Sequence, residues 1–255
     1  MNKIRKIIIN FYLVILAGLV LVIIFLFFQL QPVNLKIYFL AVGQGDSILI
    51  QTPNRYHILI DGGPDNTVLY RLGKYLPFYE RQIDLVVLTH PDSDHLNGLI
   101  EVLKRYQVKN ILLTEIFDDS PAYKIFWQII NEKKVSIFDA GKISGINLGK
   151  DSNLTILYPT RSLAELEFKD KNDSSIVVKL NYFNFSSLFM GDAPIKIEKN
   201  LLADSKPVLA DVLKLGHHGS NTCSDQNFLT QVKPELAIIS VGQNKFGHPS
   251  PAVLQ

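Results

Sequence analysis

Thr89-His90-Pro91-Asp92-Ser93-Asp94-His95 follows the apolar run Leu85-Val86-Val87-Leu88 and places four potential metal ligands within six residues. A proline pushes the residue before it out of the helical region, so the strand is expected to end at His90. The side chains after it then fan out at the strand's carboxyl end, where α/β proteins assemble their sites. His90 and Asp92 alternate onto one face, while Asp94 and His95 can turn toward a second position. Such an arrangement suits two metal ions about 3.5–4 Å apart, the separation at which a shared water becomes a nucleophile at neutral pH. A solvated loop is the simpler reading of Asp-Ser-Asp alone. Two histidines at these spacings, in a chain that holds six, weigh for metal.

Two further segments repeat the theme. Leu188-Phe189-Met190-Gly191-Asp192 ends an apolar strand in a carboxylate, and Val212-Leu213-Lys214-Leu215-Gly216-His217-His218-Gly219-Ser220 ends another in paired histidines. Asp192 alone reads equally as a cap for a helix opening near Pro194. Three strands ending in Asp or His clusters favour convergence on one rim, with Asp192 as the bridging carboxylate. The glycines around His217 and His218 let the backbone turn sharply, so that both imidazoles and Ser220 can reach the site.

Outward from these segments, short β-branched and aromatic runs alternate with helix-length stretches. Strands are expected at Leu35–Val42, Ser47–Gln51, His57–Asp61, Leu85–Thr89, Asn110–Leu113, Leu154–Tyr158, Ser175–Asn181, Ser187–Met190, Val212–Leu215 and Leu236–Val241. Helices are expected at Thr67–Tyr79, Leu96–Tyr106, Ala122–Lys133, Pro194–Ala203 and Asp225–Val232. Hairpins come first, then βα units, and the sequence of the two recurs, which predicts an α/β fold of two similar halves facing across a core. Residues 141–153 and 159–174, rich in Gly, Ser, Asn, Asp and Lys, read as exposed loops. Ser250 reads as the cap and Pro251 as the first residue of a helix that would continue past Gln255, so the sequence is expected to be truncated there.

The spaced motifs resemble the metallo-β-lactamase fold, and more closely the metallo-β-lactamase-like domain of the ComEC family of DNA-uptake competence proteins. The matching pieces are Val42-Gly43-Gln44-Gly45-Asp46-Ser47, Leu59-Ile60-Asp61-Gly62-Gly63, His90 to Gly98, Asn172-Asp173-Ser174-Ser175, Gly191-Asp192, Gly216 to Ser220, and Ser240 to Asn244 followed by Gly247-His248-Pro249. The resemblance covers about residues 35–255. It implies a four-layer αββα sandwich with a dinuclear site on the rim between two sheets. It also implies that His90 and Asp92 serve one metal and Asp94 and His95 the other, with Asp192 bridging. His217, His218 and His248 then supply remaining ligands or a proton donor, and Asp94 belongs to the catalytic group as well. Asp61 and Asp46 are expected to organise the ligands from behind, with Asn172 and Ser220 beside them. The wider fold carries histidine at the place of Asp92, and usually another where Asn172 or Asp173 stands. The resemblance implies two divalent ions, expected to be zinc; carboxylate in place of imidazole hardens the site, which leaves manganese as the alternative. His57 reads as structural and Cys223 as a packing residue.

The N-terminus differs in kind. Between Lys6 and Lys36 lie 29 residues without a charge. Roughly 20 apolar residues cross a bilayer, whereas a signal-peptide core is about half as long, and no small-x-small cleavage site follows. Residues 1–31 are therefore expected to form a single transmembrane anchor. Lys3, Arg5 and Lys6 place its start in the cytoplasm and the body, residues 35–255, on the outer side of the cell membrane.

With those three bases set aside, residues 31–255 hold 23 bases against 24 acids, which speaks against a broad polyanion-binding surface. A content of 47% hydrophobic and 20% charged residues excludes a disordered chain. The lone cysteine leaves no disulfide partner. By the resemblance, the reaction expected is metal-assisted hydrolysis of DNA, single-stranded DNA being the substrate and the proteins of a DNA-uptake channel the partners. The competing readings are a hydrolase of small or envelope-linked esters (a phosphocholine ester, a lactone or a β-lactam) and a membrane-tethered binding module without turnover.

Overall fold

The computed structural model describes residues 3–30, 34–149 and 151–255. Met1, Asn2 and Gln31 of the expected anchor, and Lys150 of the loop 141–153, lie outside them. The chain divides into two units, residues 1–34 and 35–255.

In the first unit, α1 (Lys3–Leu30) is one continuous helix. Its segment Ile4–Ile24 has a mean hydropathy of 3.0 and is not buried at all. Among the described residues, one helix is thus long and apolar enough to cross a membrane.

The second unit is built on two six-stranded sheets. The first contains, in spatial order, β1 (Lys36–Phe39), β2 (Ile48–Gln51), β3 (His57–Ile60), β4 (Gln82–Val87), β5 (Gln107–Leu113) and β6 (Ser136–Asp139). The second contains β7 (Gly145–Asn147), β8 (Ser152–Tyr158), β9 (Val177–Tyr182), β10 (Phe185–Phe189), β11 (Val212–Lys214) and β12 (Leu236–Ile238), in order from β7 at one edge to β12 at the other. In each, antiparallel hairpins come first and parallel βα units follow: β3 to β6 are parallel in the first sheet, β10 to β12 in the second.

Wholly apolar strands bury both faces, and alternation decides which side chain enters which layer. Ile58 and Ile60 of β3, Leu85 and Val87 of β4, and Val178 and Phe189 of the second sheet fill the core between the sheets. Leu59 and Val86 point the other way, against α2 (Thr67–Tyr75), α3 (Ser93–Arg105) and α4 (Pro121–Lys133). Val177, Leu188 and Leu213 meet α5 (Ile195–Ala203) and α6 (Gln226–Val232) in the same manner. The result is the expected four-layer αββα sandwich of two similar halves.

All five expected helices and ten expected strands are present, with shifted ends. Leu76 is extended before Pro77, so α2 stops at Tyr75 and not at Tyr79. Conversely, α3 opens at Ser93 and not at Leu96, which brings Asp94 and His95 into its first turn. Strand β6 was not expected, and β7 with the start of β8 replaces part of the loop read at 141–153. β7 is only three residues long and exposed at an edge, so apolar patterning gives no sign of it. Residues 171–174, within the second expected loop, form a single 3-10 turn. At Pro251 the expected helix is a turn, closed by Val253 N–H to Ser250 O at 3.0 Å.

Candidate metal centre

Four strands deliver the site from their carboxyl ends: β3 to Asp61, β4 to Thr89 and His90, β10 to Asp192, and β11 to His217 and His218. The first turn of α3 adds Asp94 and His95, where the positive end of the helix favours carboxylate. Asp92 stands at the cap position of α3 without capping it. Its carboxylate faces His90 Nε2 at 3.5 Å and Lys171 Nζ at 3.6 Å instead.

The central group is buried. Asp192 Oδ2 lies 3.4 Å from His95 Nε2, 3.4 Å from His218 Nε2 and 4.0 Å from His90 Nε2. His218 Nε2 is also 3.2 Å from Asp94 Oδ2. Four ligand sets have atoms within 4.8 Å of one another and overlap in these residues: His90, His95 and Asp192; Asp94, His95 and His218; Asp46, Asp61 and His95; Asp46, Asp192 and His218.

Each imidazole is oriented from its far side. His95 Nδ1 lies 2.8 Å from Asp61 Oδ2, His218 Nδ1 donates to Ser240 O at 2.9 Å, and His90 Nδ1 is 3.1 Å from Thr89 Oγ1. Asp61, itself at φ 57°, also accepts from Thr89 N–H at 2.8 Å and Thr89 Oγ1–H at 2.7 Å. The near nitrogens of His90, His95 and His218, together with Asp192 Oδ1 and Asn172 Oδ1, are buried without a hydrogen-bond partner. Buried polar atoms are seldom left so. Imidazoles fixed through one nitrogen and vacant at the other, gathered around a carboxylate, have the chemistry of a divalent-ion site, so these residues fit the metal the resemblance implies.

The electrostatics agree. Burial opposes charge on His95, yet Asp192 and Asp61 hold its pKa well above the ordinary value. His218 is pushed up to about 12 against its burial, by Asp192, Asp46 and Asp94. Burial would raise Asp192, but His95 and His218 hold it well below the carboxylate range. The cavity thus demands cations.

Asp46 is buried beside the group, 3.6 Å from His218 Nδ1, and is ion-paired to Lys214. Its backbone N–H reaches Asp94 O at 3.3 Å, and a Cβ on Gly45 would collide with that same carbonyl. The histidine turn is held in unusual backbone, with φ 44° at His217 and 53° at His218. His217 is half-buried; its Nδ1 lies 3.1 Å from Thr222 Oγ1 and its ring 5.4 Å from that of His248. Burial lowers the pKa of His217, and of the more open His248. Neither ring joins the clustered ligand sets. Ser220 Oγ accepts from Thr222 Oγ1 at 3.0 Å, so it acts on His217 through that threonine. Cys223 is buried, its thiol donating to Gly216 O at 2.8 Å.

Three contributors were not expected from the sequence. Thr89 ties His90 to Asp61. Lys214 is a buried cation whose signal was a lysine inside the apolar run Val212-Leu213-Lys214-Leu215. Lys171 is pinned by the buried Asp118 next to Asp92, and nothing in a polar loop distinguishes such a lysine beforehand.

Paired sheets flanked by helices, with His and Asp from four strand ends facing one cavity, define a metal-dependent hydrolase. The chain belongs to the metallo-β-lactamase superfamily, whose family model matches residues 40–242. Among curated proteins it is 31% identical to ComE operon protein 3 of Bacillus subtilis over 84% of this chain and 29% of that protein. It is 28% identical to Recombination protein 2 of Haemophilus influenzae (91% and 27%) and 31% identical to Competence protein ComA of Neisseria gonorrhoeae (83% and 28%). The chain therefore spans less than a third of each of these relatives. Among solved structures it is similar in fold to the metallo-β-lactamase fold protein YhfI of Bacillus subtilis, with a TM-score of 0.53 at 13% identity, covering 87% of this chain and 92% of that one. Igni18, a metallo hydrolase of Ignicoccus hospitalis, gives 0.50 at 15% identity over 80% of each chain.

Proposed function

We propose that the chain is a membrane-anchored phosphodiesterase acting on DNA outside the cell, in the manner of a ComEC-like competence protein. In this reading α1 spans the membrane, Lys3, Arg5 and Lys6 keep its start in the cytoplasm, and residues 35–255 are the hydrolase domain. The kinship to competence and recombination proteins supports the substrate class. The observation that carries the chemistry is the set of unpartnered Nε2 atoms of His90, His95 and His218 around Asp192.

His90 and Asp92 would hold one divalent ion; Asp94, His95 and His218 would hold the other, and Asp192 both. Zinc or manganese bound there would supply a water acidified to act near neutral pH and polarise a phosphoryl oxygen. Asp61 and Thr89 fix the orientation of His95 and His90. Asp94 orients the nucleophile from the helix end. His217 and His248, half-exposed at the rim, would pass a proton to the leaving oxygen from Nε2 of their protonated form, which burial makes the stronger acid, the Nδ1 of His217 being engaged by Thr222.

The full chain in detergent, loaded with zinc or manganese, is expected to cleave single-stranded DNA, and Asp192→Ala to abolish cleavage while the protein stays folded. Inactivity of the loaded protein on any DNA would overturn the substrate assignment. The ester-hydrolase reading keeps one observation in its favour, the near balance of 23 bases and 24 acids in residues 31–255. Turnover of a lactone or phosphocholine ester with DNA untouched would establish it.

A further inference from the structure

The two ion positions are unequally furnished. Asp94, His95, His218 and Asp192 form a complete inner set: Asp192 Oδ2 lies 3.4 Å from both imidazoles, and Asp94 Oδ2 lies 3.2 Å from His218 Nε2. Two imidazoles and two carboxylates meet the four ligands that zinc takes. The outer position has less. His90 Nε2 is 4.0 Å from Asp192 Oδ2, and His90 clusters only with His95 and Asp192, which the inner position already uses. Among the described residues, Asp92 joins none of the four ligand sets. Its carboxylate stands between two groups: Oδ2 is 3.5 Å from His90 Nε2, and Oδ1 is 3.6 Å from Lys171 Nζ.

Two anchors independent of Asp92 place Lys171. The first is backbone. Lys171 opens the 3-10 turn Lys171–Ser174, in which Asp170 accepts from Asn172 N–H at 3.0 Å and Ser174 Oγ–H donates to Lys171 O at 2.7 Å. Two residues past the turn, Ile176 N–H donates to Thr89 O at 3.0 Å, which ties this segment to the residue before His90. The second anchor is Asp118, ion-paired to the Lys171 ammonium; its side chain is 2% exposed against 35% for Lys171. Asp118 is set in turn by the start of α4, its Oδ1 accepting from Ser120 N–H at 2.7 Å. A buried carboxylate without its cation is costly, so Asp118 holds the ammonium in place whatever Asp92 does. Lys171 is thereby a fixed positive charge on one oxygen of the carboxylate whose other oxygen faces His90. A cation entering beside His90 meets like charge and shares a carboxylate whose charge is already partly met. Among the described residues, no lysine or arginine pairs with Asp94 or Asp192, the carboxylates of the inner set.

We propose that Lys171, tethered by Asp118, competes with a metal ion for Asp92, so that the inner position fills first and the outer position, His90 with Asp92, fills only at higher metal concentration. Lys171 is in this role a positioning residue, acting through Asp92 to set how many ions the centre holds at a given supply. This rests on the two-ion reading above, and on nothing in the substrate assignment.

The test strips the full chain in detergent with a chelator, dialyses it at pH 7 against a series of buffered zinc concentrations, and counts bound zinc by elemental analysis. Two steps of one equivalent each are expected, separated by about tenfold or more in zinc. Asp92→Asn, at a side chain 39% exposed, is expected to keep the first step and to weaken or lose the second. Lys171→Met with Asp118→Asn removes the cation and leaves no bare buried carboxylate. It is expected to move the second step about tenfold toward lower zinc with the first in place. Lys171→Arg, which keeps the charge, is expected to retain the separation. Uptake of both equivalents in one step by the unaltered chain overturns the competition and leaves the two-ion reading standing. So does a second step that the Lys171→Met and Asp118→Asn pair leaves unmoved or shifts to higher zinc. Loss of the first step in Asp92→Asn reverses the order of filling and overturns the proposal as well. A single equivalent in every variant, however much zinc is supplied, overturns the two-ion reading and the proposal together.

Discussion

Lys214 and Asp46 are a buried ion pair of the site, and their sequence separation of 168 joins the two halves of the sandwich. Removing one partner of a buried pair leaves an uncompensated charge, which costs about 3–5 kcal/mol, whereas removing both is far milder. Lys214→Met is therefore expected to destabilise the protein by about that amount, and Lys214→Met with Asp46→Asn by much less. Urea unfolding of the two variants, set in a double-mutant cycle with Asp46→Asn, checks it; additive losses would mean that the two groups do not sense each other. A second expectation concerns protons. His95 and His218 have folded-state pKa values raised above the ordinary imidazole value of about 6.5, so both carry protons at pH 7 in the metal-free protein. The stability they lend is fully present below about pH 6.5 and is lost as pH rises toward the folded-state values. An entering ion must displace those protons, so its affinity rises with pH. Calorimetric titration with zinc at pH 7, in buffers of differing ionisation enthalpy, is expected to show release of about two protons; release of less than half a proton would contradict the charge assignment.

At the scale of elements, the loop after β3 and the helix α3 approach backbone to backbone. Gly62 N–H donates to His95 O at 2.8 Å and Gly98 N–H to Gly63 O at 2.9 Å, and a Cβ on Gly98 would strike the Gly62 carbonyl. This contact sets the height of α3, and with it Asp94 and His95. Gly98→Ala is expected to lower stability by about 1–3 kcal/mol and to weaken metal binding, because the helix must lift. Thermal unfolding with and without zinc reads both effects; an unchanged metal response would show that the first turn of α3 moves independently of the loop. Why the sequence foretold some elements and not others follows from where their apolar residues lie. β3, β4 and β10 are buried on both faces and announce themselves as runs such as Leu59-Ile60 or Leu85-Val86-Val87. β6 and β7 are largely exposed edge strands, and pairing with a neighbour creates them more than patterning does. Among site residues, Asp61, His90, His95, Asp192 and His218 were legible because each ends or follows an apolar strand. Thr89, Lys171 and Lys214 were not, since their roles depend on partners that only the fold brings near.

At the scale of the whole molecule, the proposed ligands are divided between the halves: His90, Asp94 and His95 come from the first sheet and its helix, Asp192 and His218 from the second. Polar ties also cross at this rim, among them Ile176 N–H to Thr89 O at 3.0 Å, Gly242 N–H to Gln44 Oε1 at 3.2 Å and the Lys214–Asp46 pair. An ion held by both halves acts as a clamp that binds only the folded sandwich, and a ligand at a hundred times its dissociation constant then stabilises by about 2.7 kcal/mol. Because the clamp joins the two sheets, its loss is felt by the sandwich as one unit and does not loosen one sheet alone. Chelation is therefore expected to lower the melting temperature of the full chain by several degrees while preserving a single transition. Asp192→Ala, which removes the carboxylate that lies between His95 of one half and His218 of the other, is expected to melt at one temperature with or without zinc. Scanning calorimetry on the four samples decides it. Two separated transitions after chelation would show that the sheets fold apart, and a zinc-dependent shift retained in Asp192→Ala would place the ion away from the shared carboxylate.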